Sequence, residues 1–414
     1  MKYRSTDYIG NNPPSLLYEG DYSLIQEVVF SFKKPLLALI ILFSLSFVST
    51  AFAADYRASG NGYNYPEPSF RASMSLDVKS SSLGTSWLKY YYTRLRLSLV
   101  STSITGISAD GNTATVTGVG TVNGAAGYTF TVTVKDNSPD AIGLEIHNPD
   151  GTLYFKDPSD GATRDIASGN FIVEIIKTWS GGGSDNLASN PANWLDNTAP
   201  QSGDVIVFNA TSTKDCTWDI GITSASLNIN AGYTGIVTLN ANPTVTGGVT
   251  IASGTLNAAF STITVKGNWT NNGNFSSGTS TVILNGTNQT IYGNNTFYNL
   301  SKIVTSAGVL SFEAGKTQTI VNSLILTGAS GNLLSLRSTS QGNYWYINPQ
   351  GTRSISYVDV KDSNNIHLTT IIPTNSISSG NNVNWNLGVG GSECACKKDK
   401  LIIAQVIDYL GYPC

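Results

Sequence analysis

A rhythm of short aliphatic pairs, set in polar sequence almost free of charge, restricts this chain more than any other feature. Residues 263–296 carry one charge, Lys266, and are otherwise mostly Gly, Asn, Ser and Thr with paired aliphatics. From Thr178 to Gly390 there are seven Lys or Arg and eight Asp or Glu in 213 residues. The pairs Val237/Leu239, Val249/Ile251, Ile263/Val265, Val282/Leu284 and Leu324/Leu326 each put two aliphatics on one face of a short strand. Turns such as NGTNQ and TGASGN lie between them. The first four pairs are 12, 14 and 19 residues apart, a degenerate repeat. Such strands bury their apolar faces by stacking, which predicts a right-handed parallel β-helix, a β-solenoid, over residues 178–390. Its corners tolerate unusual backbone angles, and like charges stacked at about 4.8 Å would repel. Roughly 20 residues per coil predicts about ten coils and a rod of about 50 Å. The uncharged stretch is scaffold.

Residues 54–177 read differently, with ten basic and twelve acidic side chains in 124 residues. SFRASMSLDV alternates Phe70, Ala72, Met74, Leu76 and Val78, LRLSLV alternates Leu95, Leu97 and Leu99, and GYTFTVTVKD does so with Tyr128, Phe130, Val132 and Val134. Asp110-Gly111, Asn123-Gly124, Asp150-Gly151 and Asp160-Gly161 supply turns between such runs. Half-buried strands with no amphipathic helix between them predict a β-sandwich. The composition shifts at TWSGGGSDN, residues 178–186. The chain is therefore expected to be all-β, with a sandwich followed by the solenoid.

The ends carry targeting and tail signals. Residues 1–53 read as a secretion signal with an extended n-region. Lys33 and Lys34 precede an apolar run from Leu36 to Val48, and Ala51-Phe52-Ala53 predicts cleavage after Ala53. About 13 apolar residues are short for a membrane span, so the mature chain is expected to have none. A net charge of −3 gives no footprint for nucleic acid. Residues 391–414 form a Cys-containing tail in which Lys398 to Leu410 could make a short helix, with Ile402, Val406 and Leu410 on one face. Export permits a disulfide between Cys414 and either Cys394 or Cys396. Cys216, in KDCTWD, is expected to pack as a small apolar residue in the first coil.

On GVGTVNGAAGYTFTVTVKD, PDAIGLEIHNPDGTLYF and GNFIV, the first domain resembles the bacterial domain that follows choice-of-anchor modules. The resemblance implies a β-sandwich accessory module of secreted or surface proteins, without an assigned catalytic role. On ANWLDNTAPQSGDVIVFNATSTKDCTWD, TFYNLSKIV and SYVDVKDSNN, the second region resembles the β-solenoid repeats of bacterial surface and autotransporter-type passenger proteins. That likeness implies architecture and, for activity, adhesins, stalks and some polysaccharide-degrading enzymes.

Few residues suit chemistry. A β-helix lyase or hydrolase needs paired carboxylates or clustered acids beside a base. The nearest candidate is Asp359, Lys361 and Asp362 in VDVKDSN, where the plainer reading is a solvated strand edge and an Asx-turn. His147, two residues after Glu145 in a strand, reads as an exposed ion partner. Asp136, Asp140, Asp150, Asp157, Asp160 and Asp165 fall in loops of the sandwich and could hold calcium, the one cofactor these loops suggest; the plainer reading is turn formation. Among the aromatics of WLKYYYTR and GNYWYINP, Trp87, Tyr91, Tyr344, Trp345 and Tyr346 could stack on sugars, although alternate rings such as Tyr90 and Tyr92 should turn inward.

The expected function is non-catalytic: an exported structural or adhesive protein whose polar solenoid face meets extracellular glycans or other surface proteins. The alternative is a carbohydrate-active β-helix enzyme, which would show two carboxylates within about 5–10 Å on one solenoid face.

Overall fold

Ten strands form the first domain within residues 54–389, the part of the chain that the computed structural model describes. The segments expected to be a secretion signal with its cleavage point, and the tail with Cys394, Cys396 and Cys414, lie outside these residues. The strands are β1 (Asp55–Glu67), β2 (Phe70–Lys79), β3 (Trp87–Tyr92), β4 (Leu97–Asp110), β5 (Thr113–Val122), β6 (Ala125–Lys135), β7 (Ala141–His147), β8 (Leu153–Asp157), β9 (Arg164–Asp165) and β10 (Ser168–Thr178). They pair antiparallel as one meander from β1 to β8, with β9 also on β7 and β10 returning to β1. The sheet winds so that its inner faces share one core, to which Ala58, Met74, Leu88, Leu99, Val116, Val132, Leu144 and Phe171 all contribute. The predicted alternation holds within each strand; Phe70 and Leu95, at the edges of their runs, are exposed.

The strand β10 belongs to both halves. Its length pairs antiparallel with β1, while Ile176–Thr178 pair in parallel with Val205–Phe208, the first solenoid strand. The edge of the wound sheet thus seeds the first face of the solenoid and covers an end that would otherwise expose unpaired backbone. A second, separate core begins here. Trp179, Trp194, Phe208 and Trp218 pack edge to face, with Trp179 and Trp194 centroids 5.3 Å apart, and Trp194 donates its indole N–H to Ala188 O at 2.8 Å.

Beyond that plug the chain makes about nine turns of a parallel β-solenoid. One face runs the whole length, a second begins at Cys216–Trp218, and a third at Thr223–Ser224. Each face has a buried column. On the first, Ile206, Leu227, Val249, Trp269, Ile291 and Phe312 stand in register. On the second, Cys216, Val237, Leu256 and Phe275 do so, placing the Cys216 thiol in the core as expected. On the third, Ile263, Val282, Leu300 and Leu324 are stacked.

All ten members of the five predicted pairs are buried. Their spacing, however, mixes two quantities. Val237 and Val249 lie on different faces, whereas Ile263 and Val282 lie on one face a full coil apart. The true coil step varies from 11 residues (Ile377 to Gly388) to 29 (Thr317 to Tyr346), because the corners absorb insertions while the strands keep register. From Asn295 onward, strands Asn295–Ile303 and Thr317–Thr327 run unbroken round a corner, with a register shift between Phe297 and Asn299.

Candidate functional site

The solenoid's acids are few enough to follow individually. Asp185 accepts from Leu187 N, Asn190 and Asn193, and Asp196 from Lys177 Nζ at 2.6 Å. Asp204 accepts from Gln201 N, Asp215 from Ile236 N, Asp219 from Ser189, and Glu313 from Gly293 N. Asp359 pairs with Arg337 and accepts from Ser379 Oγ at 2.7 Å. Asp362 accepts from Gly342 N at 3.0 Å and Asn381 Nδ2 at 2.7 Å. All eight carboxylates are acceptors for their own chain, and five of them tie one coil to another.

These contacts correct one expectation. Asp359 and Asp362 are not a solvated edge. Asp362 is 3% exposed and sits at a corner with φ +58°, where its carboxylate clasps the turns on either side. Asp359 is half-buried under Arg337, and Lys361 is half-exposed beside them. A carboxylate buried at a left-handed corner needs such donors, and the flanking coils supply them.

Most loop acids of the wound sheet take structural roles as well. Asp140 Oδ2 accepts from Phe171 N at 2.6 Å and Oδ1 from Asn137 N at 2.9 Å. Asp136 Oδ2 accepts from Val173 N at 3.1 Å. Together they satisfy two N–H groups of β10, those of Phe171 and Val173. Burial pushes the Asp136 carboxyl up, opposed by the Val173 N–H. Asp157 is buried and paired with Arg164 at 3.2 Å, and burial raises its carboxyl more than Arg164 lowers it. Asp150 caps Thr152 in the β7–β8 turn, whose hydroxyl and N–H hold it down; Asp160 lies exposed in a bend and Asp165 on β9. Among the described residues, no three His, Cys, Asp or Glu side chains are placed to hold one metal ion. His147 meets Glu145 at 3.2 Å, as the strand spacing implied.

The aromatics divide by strand parity. On β3, Trp87 and Tyr91 point outward while Tyr90 and Tyr92 enter the core. Trp345 is not available to a sugar. It is fully buried, stacked on Phe312 with centroids 3.9 Å apart, because its alternate position falls inside the coil. Tyr344 and Tyr346 flank it, half-exposed, with ring centroids 6.4 Å apart.

Of the two outward rings of β3, Tyr91 borders a furrow of about 450 Å³ on the outer face of the wound sheet, and Trp87 lies outside its lining. Ser73 and Ser75 of β2 form its floor. Register sets Tyr63 of β1 and Tyr91 of β3 on either side of Ser73, and Asn61 and Lys89 on either side of Ser75. Strands lie about 4.8 Å apart, so the walls stand about 10 Å apart, a width suited to one sugar ring. Arg71 closes one end, with Nε donating to Ser73 Oγ at 2.9 Å and its guanidinium 3.9 Å from the centre of the Tyr63 ring. Tyr63, Arg71 and Lys89 were not singled out from sequence. The signal was present as small serines on β2 alternating with core residues, but the neighbours that wall them in are set by pairing.

Lys302 was also missed. In YNLSKIV an aliphatic reading points Ile303 inward, yet Ile303 is 59% exposed and Lys302 is fully buried. Its Nζ donates to Gly286 O at 2.5 Å and Gln289 Oε1 at 2.6 Å, and burial pulls its pKa down to about 8. Gln289 completes the network by donating to Val265 O and Gly267 O.

Fold and site define an all-β protein with a wound antiparallel sheet, a furrow on that sheet, and a parallel β-solenoid. No family model, curated protein or solved structure matches the chain.

Proposed function

We propose that this is an exported, non-catalytic surface or extracellular protein in which the solenoid acts as a stiff polar spacer and adhesive face. The sandwich would then be an accessory module of the kind that follows anchor domains. One observation carries the non-catalytic reading: each of the eight solenoid carboxylates already accepts a hydrogen bond from its own chain. A glycosidase acid or base must be free to exchange a proton with substrate, and a lyase needs acids gathered round a cation or base. About nine turns at the inter-strand spacing give a rod of about 40 Å, a useful length for display. Export rests on Lys33, Lys34, the apolar run and Ala51-Phe52-Ala53. No helix among the described residues is long and apolar enough to cross a membrane.

The test joins localisation to chemistry. Mass spectrometry of protein from the culture medium or cell surface should find an N-terminus at or near Ala54. The same protein should bind a glycan array or intact cells and release no reducing or unsaturated ends from a panel of polysaccharides. Cleavage that disappears in Asp359→Asn would establish the enzyme reading instead.

A further inference from the structure

The furrow on β2 has walls of one electrostatic sign. Arg71 and Lys89 line it, and its lining contains no Asp or Glu among the described residues. Nearby cations are neutralised: Arg57 meets Asp77 and Glu174, Lys79 meets Asp77, and Arg94 meets Glu67. Arg71 and Lys89 have no place in those pairs. They rest instead on aromatic faces, Arg71 over Tyr63 and Lys89 with Nζ 5.9 Å from the centre of the Trp87 ring. Cation–π contacts of this kind leave N–H donors directed away from the ring and open to an anion.

The geometry adds a shape. Two serines form a floor low enough for a ring to descend, and Tyr91, 46% exposed, stands at the wall. Tyrosine offers a flat apolar face to the C–H side of a pyranose, and the serine hydroxyls and Asn61 amide offer hydrogen bonds to its rim. Residues on one strand face recur every 6.5–7 Å, so Arg71, Ser73 and Ser75 give a track about 13 Å long. That spans two to three sugar units.

Building on the adhesive reading above, we infer that this furrow binds a carboxylate-bearing polysaccharide, with Tyr63 and Tyr91 flanking a uronic acid ring and Arg71 and Lys89 pairing with carboxylates of units at the two ends of the track. The ligand is a sugar acid and not an acidic peptide because the walls are flat rings about one pyranose apart. An extended peptide would instead seek unpaired backbone, and β2 has none: both its edges are paired, to β1 and β3.

The test uses the full chain and oligomers of galacturonate, glucuronate and mannuronate, with their carboxyl-reduced neutral counterparts as controls. Calorimetry or surface plasmon resonance should show binding to at least one uronate oligomer. The matching neutral oligomer should bind at least tenfold more weakly, and affinity should fall as salt rises. Lys89→Glu and Arg71→Glu should each weaken uronate binding tenfold or more, while Tyr91→Ala weakens acidic and neutral sugars alike. All three side chains point outward, so unchanged melting temperature and near-ultraviolet dichroism would verify the fold. Equal binding of neutral and acidic oligomers would overturn the inference, as would charge reversal without effect, tighter binding of poly-glutamate, or no binding of any uronate. Cell or glycan-array binding that survives Lys89→Glu would keep the adhesive reading and place its surface elsewhere. Loss of all binding by the unmodified chain would remove both.

Discussion

Lys302 shows what a single residue can do to a repeating core. It occupies a position stacked with the aliphatics Leu326 and Ile355. Its amine has two carbonyl-type acceptors and no carboxylate, so burial dominates and its pKa falls from 10.5 to about 8. Between those values the unfolded chain binds the proton and the folded chain does not. Stability therefore rises with pH from about 8 to about 10.5 and is lowest, and flat on this account, below 8. The span of the rise is on the order of 3 kcal/mol. Lys302→Met keeps the volume and leaves Gln289 bonded to Gly286 N, Val265 O and Gly267 O. Urea melts should find the variant at least as stable as the parent at pH 7 and lacking most of the rise towards pH 10. An identical pH slope in both proteins would assign the dependence to another group. The furrow belongs to this scale too, since its chemistry is carried by outward side chains that the core does not constrain.

Elements in this protein are defined by their partners more than by their own sequence. Strand parity in Asn295–Ile303 follows register with Thr281–Leu284 and Thr317–Thr327, which is why a lysine goes in and an isoleucine goes out. Corners are held by conformation. Gly293 adopts φ +80° and donates to Glu313 Oε2 at 2.7 Å, and a Cβ there would lie 1.9 Å from Asn271 O. Gly293→Ala meets both the left-handed penalty and that overlap, so it should cost about 2 kcal/mol or more. Thermal or urea denaturation reads the loss. Gly315→Ala, at φ +77° with nothing near its Cβ, should cost only the conformational part, about 1–2 kcal/mol. If the two variants lose the same amount, close packing of coil on coil is not what fixes that corner.

At the scale of the whole molecule, two separate cores are joined by one strand, and the second begins with a plug of four large aromatics. Coils that touch only their neighbours transmit stability along the stack. Trp194→Ala removes a fully buried ring from the plug and is expected to cost about 3–5 kcal/mol locally. Hydrogen exchange should then quicken most in Val205–Phe208 and Ile236–Leu239 and least in Leu334–Ser338. Uniform quickening along the solenoid would show that it opens as one unit. The wound sheet would then be less a cap on a graded stack than part of a single cooperative body.

The aliphatic pairs, Asp-Gly and Asn-Gly turns and low charge determined the all-β class, the order of an antiparallel sheet domain before the solenoid and the burial of Cys216, because two-residue periodicity and turn chemistry act locally. Coil length was legible only approximately, since 12- and 14-residue spacings between faces look like repeats until register separates them. The candidate site was less legible still. Trp87 and Tyr91 could be marked as outward by parity, but Trp345 was grouped with Tyr344 and Tyr346 although alternation turns it inward, and Asp362 looked like a solvated turn until neighbouring coils closed over it. Tyr63, Arg71 and Lys89 come from three strands and meet only through antiparallel pairing. Which way a strand faces and what stands beside it are properties of register. Register is fixed by contacts between strands, some of them, as between β1 and β10, more than 100 positions apart, which tertiary packing selects and no single strand encodes.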